Sequence, residues 1–215
     1  MPIYSSDIKE ILYEEDVSRI YNCATKSMER VLVSLLWITG ARTTEIIMLQ
    51  AKAFDISDHS LSIVIPTLKR GKKEGGDFDV RERTLNFKRP KALDMNIYIE
   101  TIIEYVKMIP MPEQRIFKYK SRWAEKTINK LGMDAIQKKI CPYHFRHSVL
   151  SWLAKNGATV SELMFFKGAK NISSVSPYLA AVPFEVNLQR IKRDRSQSGQ
   201  EIQKRTEPDF VSENK

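Results

Sequence analysis

Between Ser60 and Phe87 the apolar pattern changes period, and that change restricts the fold more than any other feature of the chain. The segments "SLSIVIPTL" (60–68) and "VRERTLNF" (80–87) are short and rich in β-branched and aromatic residues. The Gly- and Lys-rich "KRGKKEGGDFD" (69–79) separates them, so they read as an antiparallel hairpin with a mobile basic tip. A third strand is expected near Phe54–Ile56. On both sides of this region the apolar spacing is helical.

Residues 15–39 carry apolar positions at helical spacing and end in a nearly continuous run, Val31–Ile38, that suits a buried helix. Gly40 punctuates it, and Thr43–Gln50 opens a second helix with Thr43 as its cap. After Pro90 helices are expected over Leu93–Met108, Ser121–Leu131, His144–Lys155 and Val160–Phe166, with a short one around Tyr178. "MIPMPEQ" (108–114) reads as a Pro-marked loop. The predicted class is α+β, mainly helical, with helices around a small antiparallel three-stranded sheet. Residues 1–188 are expected to form one domain and 189–215 a polar tail, partly disordered.

The 215 residues carry a formal charge of +9, and 42% of them are apolar. That apolar share excludes disorder throughout, and the charge points to nucleic acid or an anionic membrane. No apolar run approaches the roughly 20 residues of a spanning helix. The opening "MPIYSSDIKEIL" has early acids and no apolar signal core. Cys23 and Cys141 lie far apart and read as reduced thiols rather than a disulfide framework. A cytoplasmic, DNA- or RNA-facing protein is expected.

Four places carry candidate chemistry. Arg42, in "TGARTTEI", sits at a loop–helix junction; such an arginine is commonly a surface ion-pair partner, here of Glu45. At a helix N-terminus it also makes a phosphate site. Lys69, with Arg70, Lys72 and Lys73 behind it, ends the first hairpin strand; a lysine held there can donate a proton to a leaving oxygen, and Lys69 and Lys72 both fit. In "CPYHFRHSVLSWLAKNGATV" (141–160), Tyr143, His144, Arg146 and His147 crowd one helix start, a cluster that repels itself unless an anion faces it. A metal site from Cys141, His144 and His147 is set aside, because residues six apart do not share a helix face and no fourth ligand is in view. Tyr178, in "SSVSPYLAAV", is an amphipathic packing residue or a nucleophile; a phenol reacts near neutrality only when it loses its proton to a neighbour among cations.

Together these residues describe phosphodiester cleavage. Two arginines clamp the non-bridging oxygens, a tyrosine attacks in line, and a lysine protonates the departing hydroxyl. No metal or other cofactor is called for.

The same residues resemble the catalytic domain of the tyrosine recombinases, the phage integrase family, over roughly Glu14–Leu188. "TGARTTEIIMLQ" is similar to the family's first-arginine box, which would make Arg42 the catalytic arginine and Glu45 the acid that follows it. "PTLKRGKK" resembles the hairpin that holds the catalytic lysine, with Lys69 the best-placed match. Arg146 matches the second arginine and His147 the histidine commonly beside it. The interval from Gly168 to Tyr178 equals the family's spacing from its glycine to the nucleophile. Tyr143 stands where the family has histidine, a trait that resembles recombinases of archaeal plasmids and viruses. Ala169 stands where histidine or tryptophan is usual, so one phosphate donor is missing unless Lys170 or a neighbour replaces it.

The resemblance implies a site-specific recombinase that cuts and rejoins DNA through a 3′-phosphotyrosine, integrating or excising a mobile or viral element. It implies Tyr178, Arg42, Arg146, Lys69 and Tyr143 as catalytic residues, with Arg70, Lys72, Lys73, His147 and Lys170 on the DNA. It also implies double-stranded DNA as partner, dimers and tetramers assembled there, and Phe184–Lys192 as the segment exchanged between protomers. Few residues precede the first helix, so a catalytic domain without the family's N-terminal DNA-binding domain is expected. The competing readings are a DNA-binding accessory protein with weak or no catalysis, and a topoisomerase-like relaxing activity.

Overall fold

The structure, a computed structural model, describes residues 11–68, 80–88 and 93–180. The expectations placed on Lys69, Arg70, Lys72 and Lys73, on Phe184–Lys192 and on the tail from 189 lie outside the described residues. The elements in chain order are α1 (Glu14–Cys23), α2 (Ser27–Thr39), α3 (Thr43–Ile47), β1 (Phe54–Ile56), β2 (Ser60–Leu68), β3 (Val80–Lys88), α4 (Leu93–Lys107), α5 (Ser121–Ile136), α6 (Pro142–Lys155), α7 (Val160–Lys167) and α8 (Ser176–Ala180). This is the mainly helical α+β class read from the sequence.

The run Val31–Ile38 becomes the centre of the helical layer. Val31, Leu32, Val33, Leu35, Leu36 and Ile38 of α2 are all buried, which is possible only for a helix covered on every side. α1, α3, α4, α5 and α6 all pack against it. Residues 15–39 therefore form two helices rather than one. α1 buries a narrow stripe, Val17, Ile20 and Tyr21, whereas α2 is buried almost all round from Val31 to Thr39, so the chain turns at 24–26 to bring both onto one core. The Arg30 Nε donates to the Ala24 carbonyl at 3.0 Å and closes that turn.

The sheet has the order β1-β2-β3, antiparallel throughout, so the strand expected near Phe54–Ile56 is an edge strand. Ile63 lies opposite Leu85 and Ile65 opposite Arg83. Leu61, Ile63, Ile65 and Leu85 face the core, and the two-residue period places Arg83 on that same inward face. After the Pro-marked loop, Ile116 N–H donates to the Leu49 carbonyl at 3.0 Å, tying residues 108–116 to the end of α3.

Several boundaries differ from the sequence reading, among them the end of α3, at Ile47 rather than Gln50. Arg42, not Thr43, occupies the cap of α3, because its backbone N–H donates to the Glu45 carboxylate at 3.0 Å. α5 runs on to Ile136, and α6 starts at Pro142, whose missing N–H costs nothing in a first turn.

α6 joins two apolar clusters. Phe145 points into the main core, while Leu150 and Ala154 pack with Leu163, Val175 and Tyr178 in a smaller one. The approach to α6 is tight: a Cβ on Gly132 would lie 2.2 Å from Ile140 Cγ1. We expect Gly132→Ala to destabilise the fold by about 1–3 kcal/mol through overpacking, read as a lower urea midpoint. An unchanged midpoint would contradict this contact.

Candidate active site

Gly40 ends α2 in the left-handed conformation, φ 53°, and sends the chain directly into Arg42 and α3. The Glu45 carboxylate, fully buried one turn into α3, gathers two guanidinium groups. Arg42 Nη1 donates to its Oε1 at 2.7 Å and Arg83 Nη2 to its Oε2 at 2.9 Å. Arg83, 5% exposed, also donates from Nη1 to Thr67 Oγ1 at 2.7 Å. Burial works against the carboxyl's ionisation, but the Arg83 charge and the hydrogen bonds from Arg83 and Arg42 outweigh it and hold the group below its ordinary value.

Arg146, 3% exposed, pairs with no carboxylate among the described residues. Its Nη1 donates to the Gly40 carbonyl at 2.7 Å and its Nη2 to the Lys167 carbonyl at 2.6 Å. It is thus fastened between the end of α2 and the end of α7 by two neutral acceptors. Burial, then the charges of Arg42 and Arg83 against that of Glu45, push it down to about 10, so it stays a cation at neutral pH. Arg42 and Arg146, 104 positions apart in the chain, are near enough to act on each other's charge, and Arg146 acts on the Tyr178 phenol as well.

Tyr178 is 4% exposed. Its ring lies 5.2 Å from that of His147, and the Lys167 ammonium sits 4.9 Å from its centroid on the ring face. Its hydroxyl is hydrogen-bonded to the Tyr143 side chain. Burial and that bond push the phenol above its ordinary value, while Arg146 pulls it back. Burial and the charges of His144 and Lys167 hold His147 below its ordinary value, which leaves it neutral near pH 7. His144 turns away from this group, accepting from the Cys141 N–H at 3.1 Å with its Nδ1 3.2 Å from Cys141 Sγ.

A cavity of about 390 Å³ opens between β2, β3 and the α7–α8 segment. Arg42, Arg81, Arg83, Lys167 and Lys170 line it, with Glu82 the one acid among the described residues that do. Of the residues expected at the site, the fold therefore brings together Arg42, Tyr143, Arg146, His147 and Tyr178, with Lys170 exposed at the cavity wall. The sequence reading missed two buried or half-buried cations, Arg83 and Lys167. The period of β3 does carry a signal for Arg83, since a register that turns Leu85 inward turns Arg83 inward too.

The described residues overlay on the catalytic domains of tyrosine recombinases. The chain is similar to XerA recombinase (TM-score 0.60, 18% identity, 90% of this chain and 66% of that one). It is also similar to XerH site-specific recombinase bound to palindromic difH substrate (0.61, 15%, 88% and 53%). A third similar structure is the Tn1549 transposon integrase in complex with circular intermediate DNA (0.59, 18%, 89% and 67%). The chain thus spans 66% of the XerA chain and about half of the XerH chain. No protein of curated function matches it in sequence. Residues 10–183 match the phage integrase family, and the chain belongs to that family.

Removing the negative charge at Glu45 strands the buried Arg83 guanidinium. Glu45→Gln should destabilise the fold by about 3–5 kcal/mol, measured by urea unfolding at pH 7. The folded carboxyl holds its proton less tightly than the unfolded one, whose value is 4.5. Its contribution is therefore complete above that pH and is lost as pH falls through the lower folded value. The gap between wild type and Glu45→Gln should shrink on acidification; a gap that widens below pH 4.5 would contradict the assignment.

Proposed function

We propose that this protein is a site-specific DNA recombinase that cleaves and rejoins strands through Tyr178. The observation that carries the reading is the convergence of Arg42 and Arg146 beside that phenol, with more positive charge gathered there than Glu45 can neutralise. A phosphodiester supplies the missing anion. Arg42 and Arg146 hold its non-bridging oxygens and stabilise the charge that grows there as the Tyr178 oxygen bonds to phosphorus. The P–O5′ bond breaks, leaving a 3′-phosphotyrosine and a 5′-hydroxyl. Tyr143, half-buried and hydrogen-bonded to the phenol, relays the phenolic proton to water by accepting it as its own hydroxyl proton leaves, and a lysine of the 69–73 segment, Lys69 or Lys72, protonates the departing O5′. Phosphodiester energy is kept in the covalent link, so rejoining needs neither ATP nor a metal.

Double-stranded DNA is the substrate in this reading, and supporting it are the DNA complexes of XerH and of the Tn1549 integrase, and a lambda integrase dimer bound to a COC′ core site. That dimer also supports assembly of this chain as a dimer on DNA, which the proposal extends to tetramers. Residues 1–188 act as the catalytic unit. Tyr143 in the usual histidine position marks a subfamily like that of archaeal plasmids and viruses, integrating or excising a mobile element. His147, Arg70, Lys72, Lys73 and Lys170 supply further DNA contacts.

The buried phenol and the missing donor at Ala169 favour one competing reading, an accessory DNA-binding protein on the same fold. A nicked duplex carrying the attachment-like repeat from DNA flanking the gene separates the two. Wild type should trap a covalent adduct and Tyr178→Phe none; equal binding with no adduct from either establishes the accessory role. Arg146→Ala should slow cleavage by about 10²–10³-fold while binding changes little, because the clamp acts mainly as charge develops. Adduct at the wild-type rate would refute the clamp. DNA affinity should fall steeply and log-linearly with salt as counterions are released. A flat salt response would exclude a phosphate-tracking surface.

A further inference from the structure

Lys167 ends α7, and the mechanism above leaves it unused. Gly168 follows with φ 62°, and this left-handed residue turns the chain sharply at the foot of the sheet. The turn is fixed by close packing: a Cβ at position 168 would lie 2.8 Å from Arg83 Nη1 and 3.0 Å from Thr67 Oγ1. From that anchored turn the Lys167 side chain reaches across the Tyr178 ring and donates to the Ser174 carbonyl. Its own carbonyl receives Arg146 Nη2. It also lines the cavity that Arg42 lines. One half-buried ammonium is thus in touch with the nucleophile's ring, with the second arginine's anchor and with the cavity that faces the first.

Two further observations point to a ligand. Among the described residues the Ser174 carbonyl is the one hydrogen-bond acceptor given to this ammonium, which has three protons to donate. Burial, then the charges of Arg146 and Arg42, bring its pKa down to about 8. That is the condition of a cation placed among cations, relieved when an anion enters. Two residues on, Ala169 presents a methyl group where a donor to the phosphate would be useful.

Building on the recombinase reading, we propose that Lys167 is a phosphate-binding residue of this active site. Its ammonium contacts a non-bridging oxygen of the phosphodiester held by Arg42 and Arg146, and so supplies the donor that Ala169 does not. Lys170, exposed on the outer wall of the cavity, remains a contact to flanking backbone.

A purely structural role, pinning α8 through Ser174 and the Tyr178 ring, makes a different prediction when the phosphate loses its charge. The test compares wild type, Lys167→Arg, Lys167→Met and Lys167→Ala on the nicked duplex, with the scissile linkage either native or methylphosphonate. Lys167→Met keeps the aliphatic stem over the tyrosine ring and guards against loss of packing in the alanine variant. On the native linkage Lys167→Met should form adduct about 10²-fold more slowly than wild type, with unchanged melting temperature, and Lys167→Arg should recover part of that loss. On the methylphosphonate, which has no charge for the ammonium to offset, the deficit should close to within severalfold. An equal deficit on both linkages, or a wild-type rate for Lys167→Met on the native one, overturns the assignment alone. Wild type that forms no adduct on either duplex overturns the recombinase reading, and this assignment with it.

Discussion

A single buried carboxylate organises this site. Glu45 receives Arg42 from its own helix start and Arg83 from the inward face of the sheet. Burying an ion pair is expensive, and the cost is offset only when the remaining donors are also satisfied. Thr67 takes the other end of Arg83, although the Arg83 Nε has no partner among the described residues. The pair therefore does more than stabilise. It locks the first turn of α3 to β2 and β3, and so fixes where the Arg42 guanidinium can point.

Arg146 is held by a different device with the same purpose. Two backbone carbonyls orient it without cancelling its charge, and both belong to helix ends, Gly40 after α2 and Lys167 at the end of α7. A carboxylate in either place would have left the guanidinium neutralised and of little use to a phosphate. The site is consequently short of negative charge by design of its hydrogen bonds, and Tyr178 is stored in it as a buried, protonated phenol. In the proposed reading, an arriving phosphodiester relieves the repulsion among the cations and is held where the phenol can reach it. Arg42 is the most open of these groups, its side chain 43% exposed, so it is the natural point of first contact.

Much of this was legible in the sequence, for reasons that can be named. The strands at 60–68 and 80–87 and the all-apolar Val31–Ile38 are periodic features that local physics reads directly, and the class followed from them. Spacing and the resemblance to known recombinases single out Arg42, Arg146, His147 and Tyr178, which the fold brings together. The break between α1 and α2 was not legible, because it depends on how two different apolar faces share one core. Lys167 was missed for a similar reason. Its reach over Tyr178 exists only after Gly168 turns the chain against Arg83 and α8 folds back onto α6, contacts that no local pattern encodes. Attention fell instead on Lys170, which lies nearer the gap at Ala169 in sequence yet stays exposed at the cavity wall.

The most direct test is the structure of the protein with a nicked duplex and orthovanadate, whose five-coordinate form imitates the transferring phosphate. The account predicts vanadium bonded to the Tyr178 hydroxyl oxygen, with equatorial oxygens about 3 Å from guanidinium nitrogens of both Arg42 and Arg146. Vanadate bound at another residue, or held by one of these arginines while the other points away, would contradict it.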